Sequence, residues 1–213
     1  MKNIPFFTTE LGVASLTLEE ITYKQEAYIT IQDTSDLSAF IDECAGFCRA
    51  AGASDVFLNG NFADEIYPLY ARIIRMVCDR STKWETDCKV IPVTEQTAEA
   101  WKSIYNRKMR NVPCSKTFTM TDTSKLVSEG TGYFVYRDME LLGIGKVSGD
   151  QLEAIAGCIP GAGEDVFKAL MQTIKGNRIY VDVAEENRPA MRLYASLGFR
   201  KSDDIIKWYQ YEK

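Results

Sequence analysis

Histidine is absent from this 213-residue sequence. A Ser–His–Asp triad and a Cys–His nucleophile both need an imidazole, so neither kind of catalysis is available to the chain. The six cysteines form no Cys-x-x-Cys pair, and Cys44 and Cys48, which share a predicted helix face, lack further ligands beside them. We therefore expect no metal site, and we expect reduced thiols in a cytoplasmic protein. Carboxylates, tyrosines, backbone amides and a bound cofactor remain as sources of chemistry.

Long apolar segments and basic clusters are also lacking. No apolar run approaches the roughly 18 residues that a membrane span requires, and the first residues contain no apolar signal-peptide core. The 25 basic and 30 acidic residues leave a formal net charge of −5, without the concentrated basic face that nucleic acid binding needs. We expect neither a membrane nor a nucleic acid as a partner.

The apolar residues recur at spacings typical of a mixed α/β protein. The first 80 residues predict the order β-β-α-β-α, with strands over 15–21, 27–32 and 55–58 and helices over 37–48 and 66–77. The remainder predicts β-α-β-β-β-α-β-α-β, which describes a mixed sheet with helices on both faces. The predicted strands of this second part are 88–93, 132–135, 141–147, 151–159, 178–183 and 205–211, and its predicted helices are 97–109, 166–174 and 188–196.

Two segments of the sequence look alike. Residues 55–61, followed by Leu69 and Tyr70, are similar to residues 180–187, followed by Leu193 and Tyr194. A degenerate internal repeat explains this similarity better than coincidence, although β-α units also resemble one another through periodicity alone. We expect two domains, a degenerate first half over residues 1–83 and a second domain over residues 84–213.

The segment from Asn187 to Phe199 carries the strongest signal. Asn187 is placed to cap a helix, Pro189 fits its first turn, and Gly198 fits a left-handed cap at its end. The segment resembles the second motif of the GNAT superfamily of acyl-CoA-dependent N-acetyltransferases, which reads Asn-x-x-Ala-x-x-Leu-Tyr-x-x-Leu-Gly-Phe after a strand. Every fixed position of that motif is filled here. The alternative is a helix that is merely well capped at both ends.

A glycine turn, Gly161-x-Gly163, follows the predicted strand that contains Glu153. Such a turn at the start of a helix directs unpaired N–H groups and the helix dipole at one point, which suits a pyrophosphate. GNAT proteins use the equivalent loop for acyl-CoA, but here its leading Arg or Gln is missing, and Glu164 and Asp165 would repel a diphosphate. The resemblance implies the following acetyl-CoA-binding residues: Ala156, Gly157, Cys158, Ile159, Gly161, Ala162, Gly163, Glu164, Asp165, Asn187, Ala190, Leu193 and Tyr194.

The resemblance covers roughly residues 87–213 and implies a direct attack of an amine on the acetyl thioester. It places Glu153 where some GNAT members have a general base, and Tyr194 where a proton reaches the departing thiolate. The amides of Gly157 and Cys158 are candidates for binding the thioester oxygen. The alternatives are a solvated glutamate at a strand edge and a packed helix tyrosine.

The sequence leaves the acceptor open. Four aromatic residues are candidates for an acceptor pocket or for simple packing, and Glu185 and Glu186 could attract a cationic acceptor or face solvent. The aromatic residues are Trp101, Tyr105, Tyr133 and Tyr136. The tail 208–211 is compatible with a homodimer or with a central strand.

The expected fold is therefore an α/β (α+β mixed sheet) GNAT acyl-CoA N-acyltransferase fold, preceded by a partial, degenerate GNAT-like half. The expected activity is acetyl transfer from acetyl-CoA, as co-substrate, to a primary amine of a small molecule or peptide. A non-catalytic acyl-CoA-binding or interaction module is the alternative. A dinucleotide-binding fold fits poorly, because the glycine fingerprint is incomplete.

Overall fold

A computed structural model describes residues 2–60, 66–80 and 84–212 of the chain. Two compact units are present, one formed by 1–72 with 206–213 and the other by 73–205, so that the division falls inside two strands. The predicted domain boundary lies at Lys83, outside the described residues, and the division into 1–83 and 84–213 stays a prediction. Asn61, which the proposed repeat aligns with Asn187, lies outside them as well.

The first unit is a small mixed sheet covered by one long helix. Its elements are β1 (Ile4–Thr9), β2 (Gly12–Thr17), α1 (Ile21–Lys24), β3 (Glu26–Thr34), α2 (Leu37–Ala50) and β4 (Asp55–Asn59). The strand order is β1-β2-β3-β4, in which β3 and β4 are parallel and the other pairs are antiparallel. The end of the chain adds a further antiparallel partner, with Tyr209 opposite Leu58.

The second unit contains the remaining strands and helices. Its elements, two of which extend past the unit's bounds, are β5 (Leu69–Asp79), β6 (Lys89–Pro92), α3 (Ala98–Met109), α4 (Met120–Ser128), β7 (Gly132–Arg137), β8 (Glu140–Ser148), β9 (Gln151–Gly157), α5 (Gly163–Met171), β10 (Arg178–Ala184), α6 (Arg188–Ser196) and β11 (Arg200–Gln210). The strand order is β5-β10-β9-β8-β7-β6, and the pair β9–β10 is parallel.

Alternating side chains on these strands build a core on each face of the second unit's sheet. Val135 packs with Phe167 and Leu170 of α5, whereas its neighbour Phe134 packs with Trp101 of α3. The predicted arrangement of helices on both faces is therefore confirmed. No helix in residues 2–60, 66–80 and 84–212 is long and apolar enough to span a bilayer.

Several expectations about elements were wrong or incomplete. The strand expected over 15–21 ends at Thr17, and β1 and α1 were not expected. Residues 66–77 do not form a helix, because β5 occupies Leu69–Asp79 and pairs antiparallel with β10 over seven positions, from Ile73 opposite Ala184 to Asp79 opposite Arg178. Helix α4 was not expected, although Thr119 and Asp122 form a capping box at its start.

Candidate active site

A fork between two parallel strands is the central feature of the second unit. β9 and β10 are paired at Gln151 and Tyr180, where the Tyr180 N–H donates to the Asp150 carbonyl at 3.0 Å. Among the described residues the two strands share no further backbone pairing, while β9 remains paired with β8 as far as Gly157. The strands consequently part, and a groove opens between them at the carboxyl end of β9.

The groove consists of a narrow and a wide cavity that share part of their walls. The narrow cavity has a volume of about 290 Å³ and the wide cavity about 480 Å³. Five residues line both: Met109, Val112, Ile155, Asn187 and Ala190. The two cavities therefore adjoin, and their shared walls come from the end of α3, from β9 and from the start of α6.

The glycine turn and the start of α5 border the wide cavity. Gly161 has a φ of +84°, a left-handed conformation that other residues adopt only with strain. The side chain of the N-cap residue Ala162 has no atom that can accept a hydrogen bond from the helix start. The N-cap side chains of α2, α4 and α6 each accept one. The first N–H groups of α5 are therefore left for a ligand or water, at the positive end of the helix dipole.

The acidic residues at the start of α5 are paired with cations. Glu164 binds Lys168 one turn later at 2.7 Å, and Asp165 binds Arg137 at 2.9 Å. Arg137 also binds Asp87 at 2.9 Å. The repulsion that these carboxylates would exert on an anion is therefore partly cancelled by their partners.

Helix α6 has the caps that the motif predicts. The Asn187 side chain accepts from the Ala190 N–H at 3.4 Å, and Gly198 has a left-handed φ of +87°. The ring of Phe199 lies 5.6 Å from that of Tyr194, and Phe167 of α5 contacts Phe199 edge-on at the same centroid distance. The aromatic contacts hold the Tyr194 ring in place between α6 and α5.

Tyr194 is buried in the core yet lines the narrow cavity. Its exposure is 4%, and its hydroxyl has no hydrogen-bond partner among the described residues. Burial raises the pKa of Tyr194 above its ordinary value of about 10. The side chain is therefore a protonated phenol at neutral pH, able to donate to a ligand.

Glu153, on β9, lines the same narrow cavity as Tyr194. It is an extra residue in β9, because Leu152 lies opposite Val147 while Ala154 lies opposite Lys146. Such a β-bulge turns a side chain out of the regular alternation. The carboxylate forms an ion pair with Lys146 of β8, which orients it.

The two candidate amides differ in availability. The Cys158 N–H donates to the Leu142 carbonyl at 2.7 Å and is therefore engaged within the sheet. Gly157 lies opposite Gly143 in a pair that exchanges no hydrogen bonds, so its N–H points away from β8 and toward the fork. Of the two, only the Gly157 amide is directed to the groove.

The structure brings most of the predicted site residues to the groove. The wide cavity is lined by Ala156, Gly157, Gly161, Gly163, Glu164, Asn187, Ala190 and Leu193, and the narrow cavity by Glu153, Asn187, Ala190 and Tyr194. Four line neither cavity: Cys158, Ile159, Ala162 and Asp165. Ala162 packs into the core and Asp165 faces Arg137, which accounts for two of them.

The aromatic candidates for the acceptor pocket divide in the same way. Tyr105 lines the narrow cavity. Trp101 is fully buried, and its indole N–H donates to the Tyr133 carbonyl at 3.1 Å, so it serves packing. Tyr133 and Tyr136 line neither cavity, and Glu185 and Glu186 do not border the groove either.

Several lining residues were not predicted from the sequence. Lys108 borders the wide cavity, and Lys116 and Asp182 border the narrow one. Asp182 binds Arg75 through both carboxylate oxygens at 2.8 Å, and Gln151 donates to it at 3.1 Å. No local signal marks these residues, because strand register and helix packing bring them to the groove. Among the described residues, no group of three or more candidate ligands could hold a metal.

No protein-family model matches the sequence, and no curated protein matches it. Solved structures do match. A functionally unknown conserved protein from Staphylococcus epidermidis ATCC 12228 has a TM-score of 0.63 at 8% identity, over 96% of this chain and 91% of that chain. A GCN5-related N-acetyltransferase from Sphaerobacter thermophilus has a TM-score of 0.56 at 11% identity, over 94% and 76%.

A tandem GNAT protein from the clavulanic acid biosynthesis pathway has a TM-score of 0.55 at 12% identity, over 95% of this chain and 79% of that chain. Its tandem arrangement fits a partial GNAT-like part before the GNAT part of the present chain. At these identities the likeness concerns the fold. The chain therefore has the mixed α/β fold of the GNAT N-acetyltransferases.

Proposed function

We propose that the protein is an N-acetyltransferase that transfers an acetyl group from acetyl-CoA to a primary amine of a small molecule or peptide. One observation carries the proposal: two adjoining cavities with shared walls extend from the uncapped start of α5 to the Glu153 and Tyr194 side chains. A groove with anion-binding amides at one end and a carboxylate and a phenol at the other suits a ligand with a phosphate tail and a reactive head.

The residues along the wide cavity fit acetyl-CoA. The N–H groups after Gly161 suit its diphosphate, because they are uncapped and lie at the positive end of a helix dipole. The parted strands leave room for an elongated arm between β9 and β10, and Asn187 lies beside the same passage. Acetyl-CoA supplies the acetyl group as a reactive thioester.

The residues along the narrow cavity fit the amine and the proton transfers. An amine with a pKa of about 10 is protonated at neutral pH and must lose a proton before it attacks. We assign to Glu153 the role of accepting that proton and to Tyr194 the role of donating one to the departing sulfur, because both side chains line the narrow cavity. The Gly157 N–H is the candidate donor to the carbonyl oxygen as it gains negative charge.

The volume of the narrow cavity favours a small acceptor. About 290 Å³ suffices for a small amine or for the end of a lysine side chain or peptide N-terminus. The charged residues at its wall, Glu153, Asp182 and Lys116, each have an oppositely charged partner. The cavity therefore offers no unbalanced charge that would select a polycation.

The proposal is tested by titrating acetyl-CoA into the purified protein by calorimetry, with free CoA and NAD as comparisons. We expect saturable micromolar binding of acetyl-CoA and none of NAD, followed by thiol release in the presence of a suitable amine. Binding of acetyl-CoA without turnover across a broad amine library would favour the non-catalytic module. An absence of binding at millimolar acetyl-CoA would refute the proposal.

A further inference from the structure

The glycine turn of this chain has no positively charged residue of its own. Residues 157–163 contain neither lysine nor arginine, and both acids that follow, Glu164 and Asp165, are held by cations from elsewhere in the unit. Backbone amides and a helix dipole provide partial charges only. A full positive charge from another element would therefore strengthen the binding of a diphosphate in the wide cavity.

Helix α3 brings such a charge to the cavity. Lys108, in its last turn, lines the wide cavity together with Gly157, Gly161 and Gly163. Neither Lys108 nor Arg107 forms an ion pair within the part of the chain that the structure describes, and both side chains are exposed. Lys108 thus carries an uncommitted cation and lines the same cavity as the glycine turn.

The charges at this end of α3 act on the strand end that precedes the turn. Burial raises the pKa of the Cys158 thiol, and the charges of Lys108 and Arg107 lower it in part. Cys158 directly follows Gly157, which lines the wide cavity, so the two cations lie near enough to act on this end of β9. The cations on Lys168 and Arg137, by contrast, are neutralised by their own carboxylates.

Resting on the acetyl-CoA site proposed above, we propose that Lys108 binds the diphosphate of the acyl donor and replaces the cation that the glycine turn lacks. An ammonium group has three donors on a flexible stem and binds phosphate as a point charge. A lysine from a separate helix can therefore do the work of a loop arginine without a matching loop geometry. Lys108 acts in donor binding and takes no part in the acetyl transfer.

A simpler role for Lys108 makes different predictions. Cations in the last turn of a helix stabilise it through the helix dipole, and Arg107 stands beside Lys108 in that turn. If this were its only role, Lys108→Ala would lower thermal stability slightly and would not lower the affinity for one donor more than for another. Donors of different length separate the two roles.

The test compares the affinities of acetyl-CoA, acetyl-dephospho-CoA and S-acetylpantetheine for the full chain, wild type and variants. We expect Lys108→Ala to lower the affinity for acetyl-CoA and acetyl-dephospho-CoA about tenfold, because both retain the diphosphate, and to leave the affinity for S-acetylpantetheine unchanged. Lys108→Arg should stay within about threefold of wild type. Lys102→Ala is the matched control, since Lys102 lies on the same helix and binds Glu99 at 2.8 Å.

The outcomes separate this inference from the proposed function. If wild type binds acetyl-CoA but Lys108→Ala binds it equally well, the inference is overturned and the acetyltransferase proposal stands. If Lys108→Ala binds acetyl-CoA more weakly than wild type but binds acetyl-dephospho-CoA equally well, the inference is also overturned, since the lysine would then contact the ribose phosphate. A loss of affinity for S-acetylpantetheine as well would overturn it too, because the substitution would then disturb the groove and not a contact with the diphosphate. Failure of wild type to bind any donor would refute the proposed function itself.

Discussion

At the scale of single residues, Tyr194 has the properties of a proton donor. Its ring is fixed by Phe199, its hydroxyl has no hydrogen-bond partner among the described residues, and burial holds its pKa above the ordinary value. A phenol with a raised pKa keeps its proton throughout the neutral and mildly alkaline range. It therefore has a proton to offer to the departing thiolate, and it cannot serve as the base that activates an amine.

Substituting Tyr194→Phe should lower kcat by about 100-fold, the lower end of what a general acid contributes. The dissociation constant for acetyl-CoA and the free energy of unfolding should change little, because the hydroxyl has no bond to lose among the described residues. Turnover and calorimetry together measure both effects. A variant with wild-type turnover would remove Tyr194 from the mechanism.

Tyr211→Phe provides the matched control for that substitution. The Tyr211 hydroxyl donates to Asp42 at 2.7 Å in the first unit, and the same loss of an oxygen atom there should cost about 1 kcal/mol of unfolding free energy. Turnover should stay at the wild-type level.

Residues inside one short segment were the ones that the sequence predicted well. Asn187 and Gly198 could be assigned as caps because a helix end depends on its own neighbours in the chain. The partner of Glu153 could not, because the ion pair with Lys146 depends on a bulge in the register of β8 and β9. Lys108 was missed for a similar reason, since only the packing of α3 brings it to the turn.

At the scale of secondary-structure elements, the glycine turn sets the direction of the α5 amides. Gly143 on β8 lets α5 pack closely, since a Cβ there would lie 2.7 Å from the Val166 side chain. Gly161 then allows the chain to enter the helix through a left-handed residue. The start of α5 is thereby held at the wide cavity by contacts on the strand side and by backbone geometry in the turn.

Gly161→Ala should weaken acetyl-CoA binding several-fold and lower the unfolding free energy by about 1 kcal/mol, because a Cβ is strained at positive φ. Gly149→Ala is the matched control, since Gly149 has a φ of +57° and, like Gly161, no atom near its missing Cβ. The control should show the same loss of stability in thermal unfolding and no loss of affinity in calorimetry. Equal affinities for the two variants would argue against the turn as a ligand site.

Elements whose state depends on distant partners were predicted least well. The apolar residues of β5 recur at a spacing that also fits a helix, and its pairing with the distant strand β10, from Asp79 opposite Arg178 to Ile73 opposite Ala184, makes it a strand. Helix α4 is mostly polar and is marked chiefly by its capping box, which a search for apolar periodicity does not reveal. Local periodicity could therefore predict α5, α6 and the hairpin of β7 and β8, but not these two.

At the scale of the whole molecule, each unit contains two parallel strands connected by a helix, and the two units differ in how far those strands are paired. In the second unit, β9 and β10 are paired at one position and then part. In the first unit, β3 and β4 are paired over five positions, from Glu26 opposite Asp55 to Thr30 opposite Asn59. A fully paired pair of strands has no fork and therefore no groove for an elongated ligand.

The start of helix α2 in the first unit is also unsuited to binding an anion. The carboxylate of Asp36 caps α2 by accepting from the Ala39 N–H at 3.1 Å, so that a negative charge already occupies the position where a phosphate would bind. The corresponding cap of α5 is absent. Both features lead to the same expectation, that only the second unit binds a donor.

Calorimetry should therefore find one acetyl-CoA bound per chain. Substitutions of the caps Asn187 and Asp36 test which unit holds it, because each removes a cap worth about 1 kcal/mol of stability. Asn187→Ala should also weaken binding, since Asn187 lines both cavities, whereas Asp36→Ala should leave the affinity unchanged. A stoichiometry of two, or a loss of affinity in Asp36→Ala, would show that the first unit takes part in binding and that its paired strands open to admit a ligand.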